Sequence, residues 1–283
     1  MRDHVLMSCV VGVCASLVSA GFAFDAEEDT SGDPTGTVRP EVLLPAPGVW
    51  THLAREADRR SLTLDSDPGP AQLGDIAWVA DKDPIGQAME FVGPGGVVVD
   101  KQRVYASAGI GGAYHAVAID RKTGDALWTT PLPPPVFNSW ATPAVDLKNG
   151  TVLYAAFDEL IALDRGTGAQ AWSAPAQSLL VNASPVVTTD LGPADRAFIT
   201  NFGVLSPPGR LVCVNGDPCD AGLNPYQPGD VVWTANLSQP TSGATPAYAN
   251  GVVYVASAGV LQSTSGAIQA FDATSTSTPT ALW

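Results

Sequence analysis

The chain has 283 residues, of which 45% are hydrophobic and only 15% are charged. This composition excludes a wholly disordered chain, which would combine low hydrophobicity with high charge. The formal net charge is −14, from 14 basic and 28 acidic residues, which excludes the basic surface typical of nucleic-acid binding and a polybasic membrane patch.

The N-terminal 23 residues have the pattern of a secretory signal peptide. An apolar run over residues 5–23 follows Arg2, is short for a bilayer span, and ends with small residues at Ala20 and Ala23 that suit cleavage. An uncleaved anchor is the alternative. Residues 24–40 are predicted to form a flexible acidic leader rather than a calcium loop, because the regular ligand spacing is missing. We therefore expect an exported protein, periplasmic, cell-envelope or extracellular, with no membrane insertion after signal cleavage.

The remaining residues, 41–283, carry a repeated pattern, Ala-x-Asp-x-x-Thr-Gly-x-x-x-Trp. It is clearest at residues 118–128 and 162–172, and looser copies surround them. The tryptophans that end the copies are separated by 50, 44, 61 and 50 residues, and they are Trp78, Trp128, Trp172, Trp233 and Trp283. A repeat of this length indicates one supersecondary unit used several times.

Each unit also contains four strand-like runs separated by turn signals. In the unit that ends at Trp172, the runs are residues 141–146, 152–157, 160–164 and 169–172. Four short strands every 40 to 60 residues are typical of a propeller blade. The sequence therefore predicts an all-β fold, a β-propeller of four-stranded antiparallel blades.

The count of units predicts four complete blades plus a half blade. Residues 61–78 supply only the last two strands of the half blade, and no residues follow Trp283 to supply the others. Exposed strand edges are a liability. We therefore expect a truncated part of a six-to-eight-bladed ring, with pairing of the open edges by a partner as the alternative.

The fixed letters of the repeat predict how one blade docks on the next. The Asp is expected to accept backbone N–H groups and fix a turn, the Gly to adopt positive φ, and the Trp to bury a large apolar surface against the neighbouring blade. The predicted docking residues are Gly74, Trp78, Asp120, Gly124, Trp128, Asp164, Gly168, Trp172, Gly229, Trp233, Asp272 and Trp283.

Two of the four cysteines, Cys9 and Cys14, would leave with the signal peptide. The other two are Cys213 and Cys219, in Cys-Val-Asn-Gly-Asp-Pro-Cys, where an Asn-Gly turn allows them to meet. Exported proteins can keep disulfides. The sequence predicts a possible disulfide between them, the alternative being two unlinked thiols of which one is buried on a strand.

The repeat resembles the tryptophan-docking motif of the PQQ-like (pyrroloquinoline-quinone-type) β-propeller family, over roughly residues 61–283. The family includes quinoprotein alcohol dehydrogenases and a non-catalytic outer-membrane assembly lipoprotein. For the enzymes, the resemblance implies a quinone in a central funnel, held by an adjacent Cys-Cys disulfide, a stacking Trp, and calcium bound by Glu, Asn and Asp. This chain has no adjacent Cys pair, so it resembles the lipoprotein propeller more than the dehydrogenases. Trp140 is a candidate aromatic residue to face the central funnel, although the favoured interpretation is that it packs within a blade.

We assign no catalytic, cofactor-binding or metal-binding residue from the sequence. His115 is expected to lie on a blade face rather than to act as a base, and His52 is the other histidine after the signal peptide. The expected function is that of an exported, non-catalytic scaffold, without cofactors, that binds protein or cell-envelope components through loops carrying Tyr114 and Phe137. The alternative is a fragment of a PQQ-dependent quinoprotein dehydrogenase whose catalytic residues are missing from this chain. PQQ and calcium belong only to that alternative.

Overall fold

The computed structural model describes residues 51–52, 76–91, 95–139, 141–203, 208–259 and 265–283, which all belong to one compact unit, Leu44–Trp283. The predicted signal peptide, the acidic leader, Trp140 and the half blade up to residue 75, including Gly74, lie outside the described residues.

The described residues are almost entirely β-strands joined by turns. In chain order the strands are β1 (Met89–Glu90), β2 (Val98–Val99), β3 (Arg103–Ile110), β4 (Ala113–Asp120), β5 (Ala126–Pro131), β6 (Ala144–Asp146), β7 (Thr151–Ala156), β8 (Glu159–Asp164), β9 (Gln170–Pro175), β10 (Val186–Val187), β11 (Arg196–Thr200), β12 (Arg210–Asn215), β13 (Val231–Asn236), β14 (Ala247–Ala249), β15 (Val252–Ala258) and β16 (Gly266–Asp272). Two short 3₁₀ helices lie at Val136–Asn138 and Gly192–Ala194.

The strands form four antiparallel sheets in which successive strands are neighbours. Strands β6 to β9 form one four-stranded sheet and β10 to β13 another, while the first sheet contains β2 to β5 with β1 added beside β3. These sheets confirm the prediction of an all-β chain built from four-stranded antiparallel units. We refer to them as sheets 1 to 4 in chain order.

Sheet 4 differs from the prediction because it contains three strands, β14 to β16. The segment predicted as its outer strand lies beside β16, where the N–H of Leu282 donates to the carbonyl of Ala270 at 2.8 Å. Pro279, which has no N–H to donate, precedes this contact. Beside β16 we find this backbone hydrogen bond, whereas the third and fourth strands of the other sheets are joined by a full ladder.

The hydrophobic cores lie between consecutive sheets. One core joins Tyr105 of sheet 1 to Val152 of sheet 2, a second joins Leu160 of sheet 2 to Val212 of sheet 3, and a third joins sheets 3 and 4. Consecutive sheets thus bury apolar faces against each other, as expected where a repeat cannot bury its apolar faces alone. A further core of sheet 1 packs against Trp78.

A β-bulge recurs at the same place in three sheets. The pairing of the third and fourth strands shifts register between Ala118 and Ile119, between Ala162 and Leu163, and between Cys213 and Val214. A bulge bends the strand and increases its twist. In each sheet it directly precedes the turn that carries the repeated Asp or its replacement, so it sets the direction in which that turn leaves the sheet.

Candidate functional site

Three of the predicted docking tryptophans connect one repeat unit to the next through their indole N–H groups. Trp128 donates to the carbonyl of Arg165 at 3.1 Å, and Trp233 donates to the carbonyl of Ser275 at 3.0 Å. Trp78 makes the equivalent bond to the carbonyl of Arg121 at 3.0 Å. Each acceptor lies in the turn that precedes the outer strand or segment of the following unit.

The predicted docking glycines lie directly against these rings. Gly124 and Gly168 have φ of +80° and +76°, and a Cβ atom would lie 2.8 Å from the ring of Trp78 and 2.7 Å from that of Trp128. Gly229 has φ of +90°, and its Cβ would lie 3.2 Å from Trp172 Cβ. Glycine is required at these turns both for the backbone conformation and for the close approach of the tryptophan.

The repeated aspartates organise the turns. Asp164 Oδ1 accepts the N–H groups of Gly166 at 3.0 Å and Thr167 at 2.8 Å, together with the Thr167 hydroxyl. These bonds, led by that of the Thr167 hydroxyl, lower the pKa of Asp164. Asp120 and Asp272 accept backbone N–H groups at the matching positions.

The third unit replaces this aspartate with Asn215, which sequence analysis left without a role. The Asn215 amide donates to the carbonyls of Asp217 at 2.6 Å and Tyr226 at 3.0 Å. An amide can donate where a carboxylate can only accept. Asn215 therefore holds a longer turn closed, which is where the repeat carries its insertion.

Trp283 has a different environment from the other tryptophans. Its side chain is 66% exposed, and its ring centroid lies 6.2 Å from that of Tyr254 in sheet 4. Trp283 thus packs on its own sheet among the described residues.

The structure contradicts the predicted disulfide between Cys213 and Cys219. Both are free cysteines, Cys213 buried and Cys219 exposed. Cys213 lies on β12, where it pairs with Phe198 and Trp233 and packs in the core between sheets 3 and 4. Burial raises the pKa of its thiol. The strand directs Cys213 into a core that the exposed Cys219 does not enter, so the Asn-Gly sequence between them does not bring them together.

A buried polar network joins sheets 2 and 3, and sequence analysis did not find it. Lys148 Nζ lies 2.7 Å from a carboxylate oxygen of Asp195 and 2.8 Å from one of Asp217. Asn149 donates to Asp146 at 2.9 Å and to Asp217 at 2.8 Å. One cation and one amide thus hold three buried carboxylates together.

The pKa values of Asp146 and Lys148 are both raised, for different reasons. Burial raises the pKa of Asp146, and the nearby carboxylates of Asp217 and Asp195 raise it further against hydrogen bonds from Asn149. The pKa of Lys148 is raised, because its bonds to Asp195 and Asp217 outweigh the lowering effect of burial. The network is therefore most stable with Lys148 charged.

Sheet 1 departs from the repeat at one end, where its central hairpin is longer. Strands β3 and β4 have eight residues each, whereas β7 and β8 have six. The hairpin turns at Gly111 and Gly112, whose φ values are +59° and +82°, the sign that a tight two-residue hairpin turn needs. Its extra length gives β1 a partner, because Met89 pairs with Ile110.

This longer hairpin forms one wall of a cleft of about 650 Å³. Residues from β1 and the segment before it, and from the connection between β5 and β6, form the other walls. The side chains that give the cleft its chemistry are those of Gln87, Glu90, Tyr114, Pro134, Pro135 and Ser139. We call this the sheet 1 cleft.

The sheet 1 cleft is mainly apolar, with a few polar groups. Tyr114 is half-buried, and burial raises its pKa, so its phenol stays protonated as a hydrogen-bond donor. Glu90 is exposed and supplies a carboxylate. His115 follows Tyr114, is half-buried, and has its Nδ1 3.1 Å from the carbonyl of Ala113, so it makes a local contact on the hairpin.

Exposed apolar side chains adjoin the cleft along the chain. Phe137 lies between the lining residues Pro135 and Ser139, is 73% exposed, and has φ of +50°. Ile85 is 79% exposed, two residues before the lining residue Gln87. A bulky residue with positive φ is uncommon and costs conformational energy. The connection between β5 and β6 therefore presents an aromatic ring to solvent at a conformational cost.

His52, to which sequence analysis assigned no role, is buried against sheets 2 and 3. Its Nε2 accepts the N–H of Val187 on β10 at 3.0 Å, and the carbonyl of Thr51 accepts the N–H of Val145 on β6 at 2.8 Å.

Among the described residues, no group of three or more His, Cys, Asp or Glu side chains is placed to hold a metal ion. Within the same residues, no helix has the length and apolar character needed to cross a membrane.

Comparison with known families identifies the repeat. The family model described as outer membrane protein assembly factor BamB matches residues 69–217. The chain belongs to this BamB family. Comparison with curated proteins gave no match.

Solved structures of two dehydrogenases share the fold of this BamB-family chain at low sequence identity. Quinohemoprotein alcohol dehydrogenase ADHIIG from Pseudomonas putida HK5 is 15% identical, covers 84% of the chain and has a TM-score of 0.54. Quinohemoprotein alcohol dehydrogenase from Comamonas testosteroni is 17% identical, covers 83% of the chain and also has a TM-score of 0.54. BamB from Moraxella catarrhalis is 19% identical and covers 66% of the chain, with a TM-score of 0.41.

The likeness to the two dehydrogenases confirms the predicted β-propeller architecture. The chain spans 40% of the length of each of the two dehydrogenases and 50% of that of the Moraxella protein. Because the sequence identity to the dehydrogenases is only 15% and 17%, their similarity to this chain shows a shared fold alone.

Proposed function

We propose that this protein is an exported, non-catalytic β-propeller scaffold that binds a protein of the cell envelope, and that the sheet 1 cleft is its contact surface. The observation that carries the proposal is the local departure of sheet 1 from the repeat. Each strand of the β3–β4 hairpin is two residues longer than the matching strand of the β7–β8 hairpin in sheet 2, and the longer hairpin forms one wall of a cleft. Binding residues are often found on loops held by a regular scaffold.

The surface chemistry around the cleft supports a protein partner. Phe137 and Ile85 are largely exposed and adjoin its lining residues, and Tyr114 adds a half-buried aromatic ring. Exposed apolar groups with a polar rim are typical of interaction sites, and aromatic residues are enriched in them. The strained backbone at Phe137 is consistent with an aromatic side chain that is held ready for contact.

Charge favours a neutral or basic partner surface. The chain has a net charge of −14, and the cleft contributes the exposed carboxylate of Glu90. Complementary charge increases the rate of association and selects against like-charged partners. The family description as an outer membrane protein assembly factor supports a partner in the cell envelope.

The test is site-specific crosslinking of the full chain in its own cell envelope, followed by measured binding to the purified partner. A photo-reactive amino acid at Phe137 should capture the partner, and Phe137→Ser and Tyr114→Ala should each weaken binding at least tenfold. The matched control is Leu223→Ser, which replaces a 66% exposed side chain in the turn between β12 and β13. Equal affinity for all three variants and the unaltered chain would reject the cleft as the contact surface.

A second measurement addresses catalysis. We expect titration with pyrroloquinoline quinone and calcium to give no saturable change in absorbance and no substrate-dependent dye reduction. Saturable binding together with dye reduction would overturn the non-catalytic assignment and favour a dehydrogenase.

A further inference from the structure

Thr51 and His52, which precede the first repeat unit in sequence, are hydrogen-bonded to strands β6 and β10. The carbonyl of Thr51 accepts the N–H of Val145 at 2.8 Å, and His52 Nε2 accepts the N–H of Val187 at 3.0 Å. His52 and Val187 are 135 positions apart. This contact is therefore a product of the tertiary fold rather than of local chain geometry.

Both hydrogen bonds are made at strand edges that the sheets leave open. Strands β6 and β10 are the terminal strands of sheets 2 and 3. Directly after β10, the N–H of Thr188 points towards β11, where it donates to the carbonyl of Arg196 at 2.9 Å. Because successive N–H groups of a strand point to opposite sides, the N–H of Val187 points away from β11. Thr51 and His52 thus satisfy open-edge donors of two neighbouring sheets.

Thr51 and His52 are both buried, and their side chains are hydrogen-bonded to each other. Thr51 and His52 are 6% and 4% exposed, and the Thr51 hydroxyl lies 2.8 Å from His52 Nδ1. Since Nε2 accepts a backbone N–H, it carries no proton, and the proton of the neutral ring is on Nδ1, where it can be donated to the Thr51 hydroxyl. The imidazole thereby takes the place that a strand carbonyl would have in a sheet.

We propose that the open edges of β6 and β10 form a strand-addition site for an extended peptide with a neutral histidine, and that the segment containing Thr51–His52 occupies this site within the same chain. An extended segment gains affinity from main-chain hydrogen bonds and specificity from its side chains. Because the segment is tethered, its effective concentration is high and it excludes the same peptide from solution. This site is distinct from the sheet 1 cleft, since it uses none of the residues that line the cleft.

The test measures amide hydrogen exchange at Val187 and Val145 in the full chain. His52→Ala removes the acceptor, so exchange at Val187 should increase at least tenfold, whereas His52→Gln supplies a side-chain carbonyl and should restore part of the protection. The matched control is His115→Ala, which removes a half-buried imidazole from the β3–β4 hairpin and should leave Val187 unchanged. Unchanged exchange at Val187 in folded His52→Ala protein overturns the proposal.

Competition tests occupancy by the same chain. A synthetic peptide with the sequence of residues 46–57 should bind the His52→Ala protein and slow exchange at Val187, and it should not bind the unaltered chain at the same concentration. Equal binding to both proteins, or to neither, would contradict occupancy of a strand-addition site by this segment.

A measurement on the unaltered protein keeps the proposal testable if His52→Ala does not fold. Diethyl pyrocarbonate, which modifies accessible neutral imidazoles, should modify His115 and spare His52, as read by mass spectrometry of the digested protein. Modification of His52 as rapid as that of His115 would show that the segment does not occupy the site.

Discussion

Gly168 lies against the indole ring of Trp128, and a Cβ atom at Gly168 would approach that ring to 2.7 Å. The two residues belong to consecutive sheets, so the contact couples a turn of sheet 2 to the outer strand of sheet 1. The hydroxyl of Thr130 donates to the carbonyl of Gly168 at 2.7 Å and fixes the turn in place. The turn therefore has little room to move away from an added methyl group.

Gly168→Ala should destabilise the protein more than an alanine at a glycine with the same conformation and open surroundings. Gly150, with φ of +70° and no atom within 4 Å of its ideal Cβ, is that control. Positive φ alone costs an alanine about 1–2 kcal/mol, and overpacking against Trp128 should add about 1–3 kcal/mol. Urea unfolding followed by circular dichroism gives both free energies. Equal losses for the two variants would show that the ring contact adds nothing to the backbone requirement.

The hydrogen bond of a docking tryptophan can be separated from its packing at Trp128. Trp128→Phe keeps an aromatic ring but loses the donor to the Arg165 carbonyl, and should cost about 1 kcal/mol. Trp128→Ala should cost about 3–5 kcal/mol, because it also empties a buried site.

The control for the tryptophan series is Trp283→Ala, since Trp283 is 66% exposed. We expect a loss of about 0.5 kcal/mol or less there. Urea unfolding should be followed by circular dichroism, because the substitutions alter tryptophan fluorescence. A loss at Trp283 as large as that at Trp128 would contradict the distinction between the two environments.

The sequence was most informative where structure depends on local chemistry. The turn of Asp164, Thr167 and Gly168 follows from short-range hydrogen bonds and positive φ, and the pattern predicted both the blade and its docking tryptophan. The disulfide prediction was wrong because Leu211 to Asn215 are buried throughout, so β12 shows no alternation to reveal that Cys213 points into a core. The sequence predicted four strands in sheet 4, but the segment that ends at Trp283 does not form a ladder with β16 and is therefore not a strand.

The polar network and the His52 contact lay beyond sequence reasoning for a different reason. Lys148 meets Asp217 across 69 positions, and His52 meets Val187 across 135. A single lysine in a turn, or a single histidine before the first strand, gives no local pattern that identifies such a partner. The sheet 1 cleft left a weak signal, the Gly111-Gly112 pair in a long alternating hairpin.

Replacement of Lys148 should reveal how far its charge supports the contact between sheets 2 and 3. Lys148→Met leaves the buried carboxylates of Asp195 and Asp217 without their cation. We expect a loss of about 2 kcal/mol at neutral pH, below the full cost of breaking a buried pair, because Lys148 is 43% exposed and water screens it. Lys101→Met, at an exposed residue, should change stability by less than about 0.5 kcal/mol. Thermal unfolding in low and high salt measures the loss, and equal stability of the two variants would show that Lys148 contributes no net stabilisation.

Asp146 gives a prediction about pH. Burial and the carboxylates of Asp217 and Asp195 raise its pKa above the ordinary 3.8, so between 3.8 and the raised pKa the folded protein binds more protons than the unfolded chain. The contribution of this group to stability therefore falls as pH rises through that window, and it stays low above the raised pKa. Asp146→Asn removes the titration and keeps a side-chain acceptor for the N–H of Asn149, which lies 3.0 Å from Asp146 Oδ1.

The stability of Asp146→Asn relative to the unaltered chain should consequently increase as pH is raised from 3.8 towards neutrality. Asp100→Asn should show the opposite trend in a lower window: its stability relative to the unaltered chain should decrease as pH is raised from the lowered pKa of Asp100 to 3.8, and should stay constant above 3.8. Burial acts to raise the pKa of Asp100, but hydrogen bonds from Gln102, Tyr105 and Arg103 and the charge of Arg165 lower it overall. Its stabilising contribution is present above 3.8 and is lost as pH falls through the lowered pKa. Urea unfolding at a series of pH values compares the two variants, and parallel curves would contradict the opposite environments that the structure gives these carboxylates.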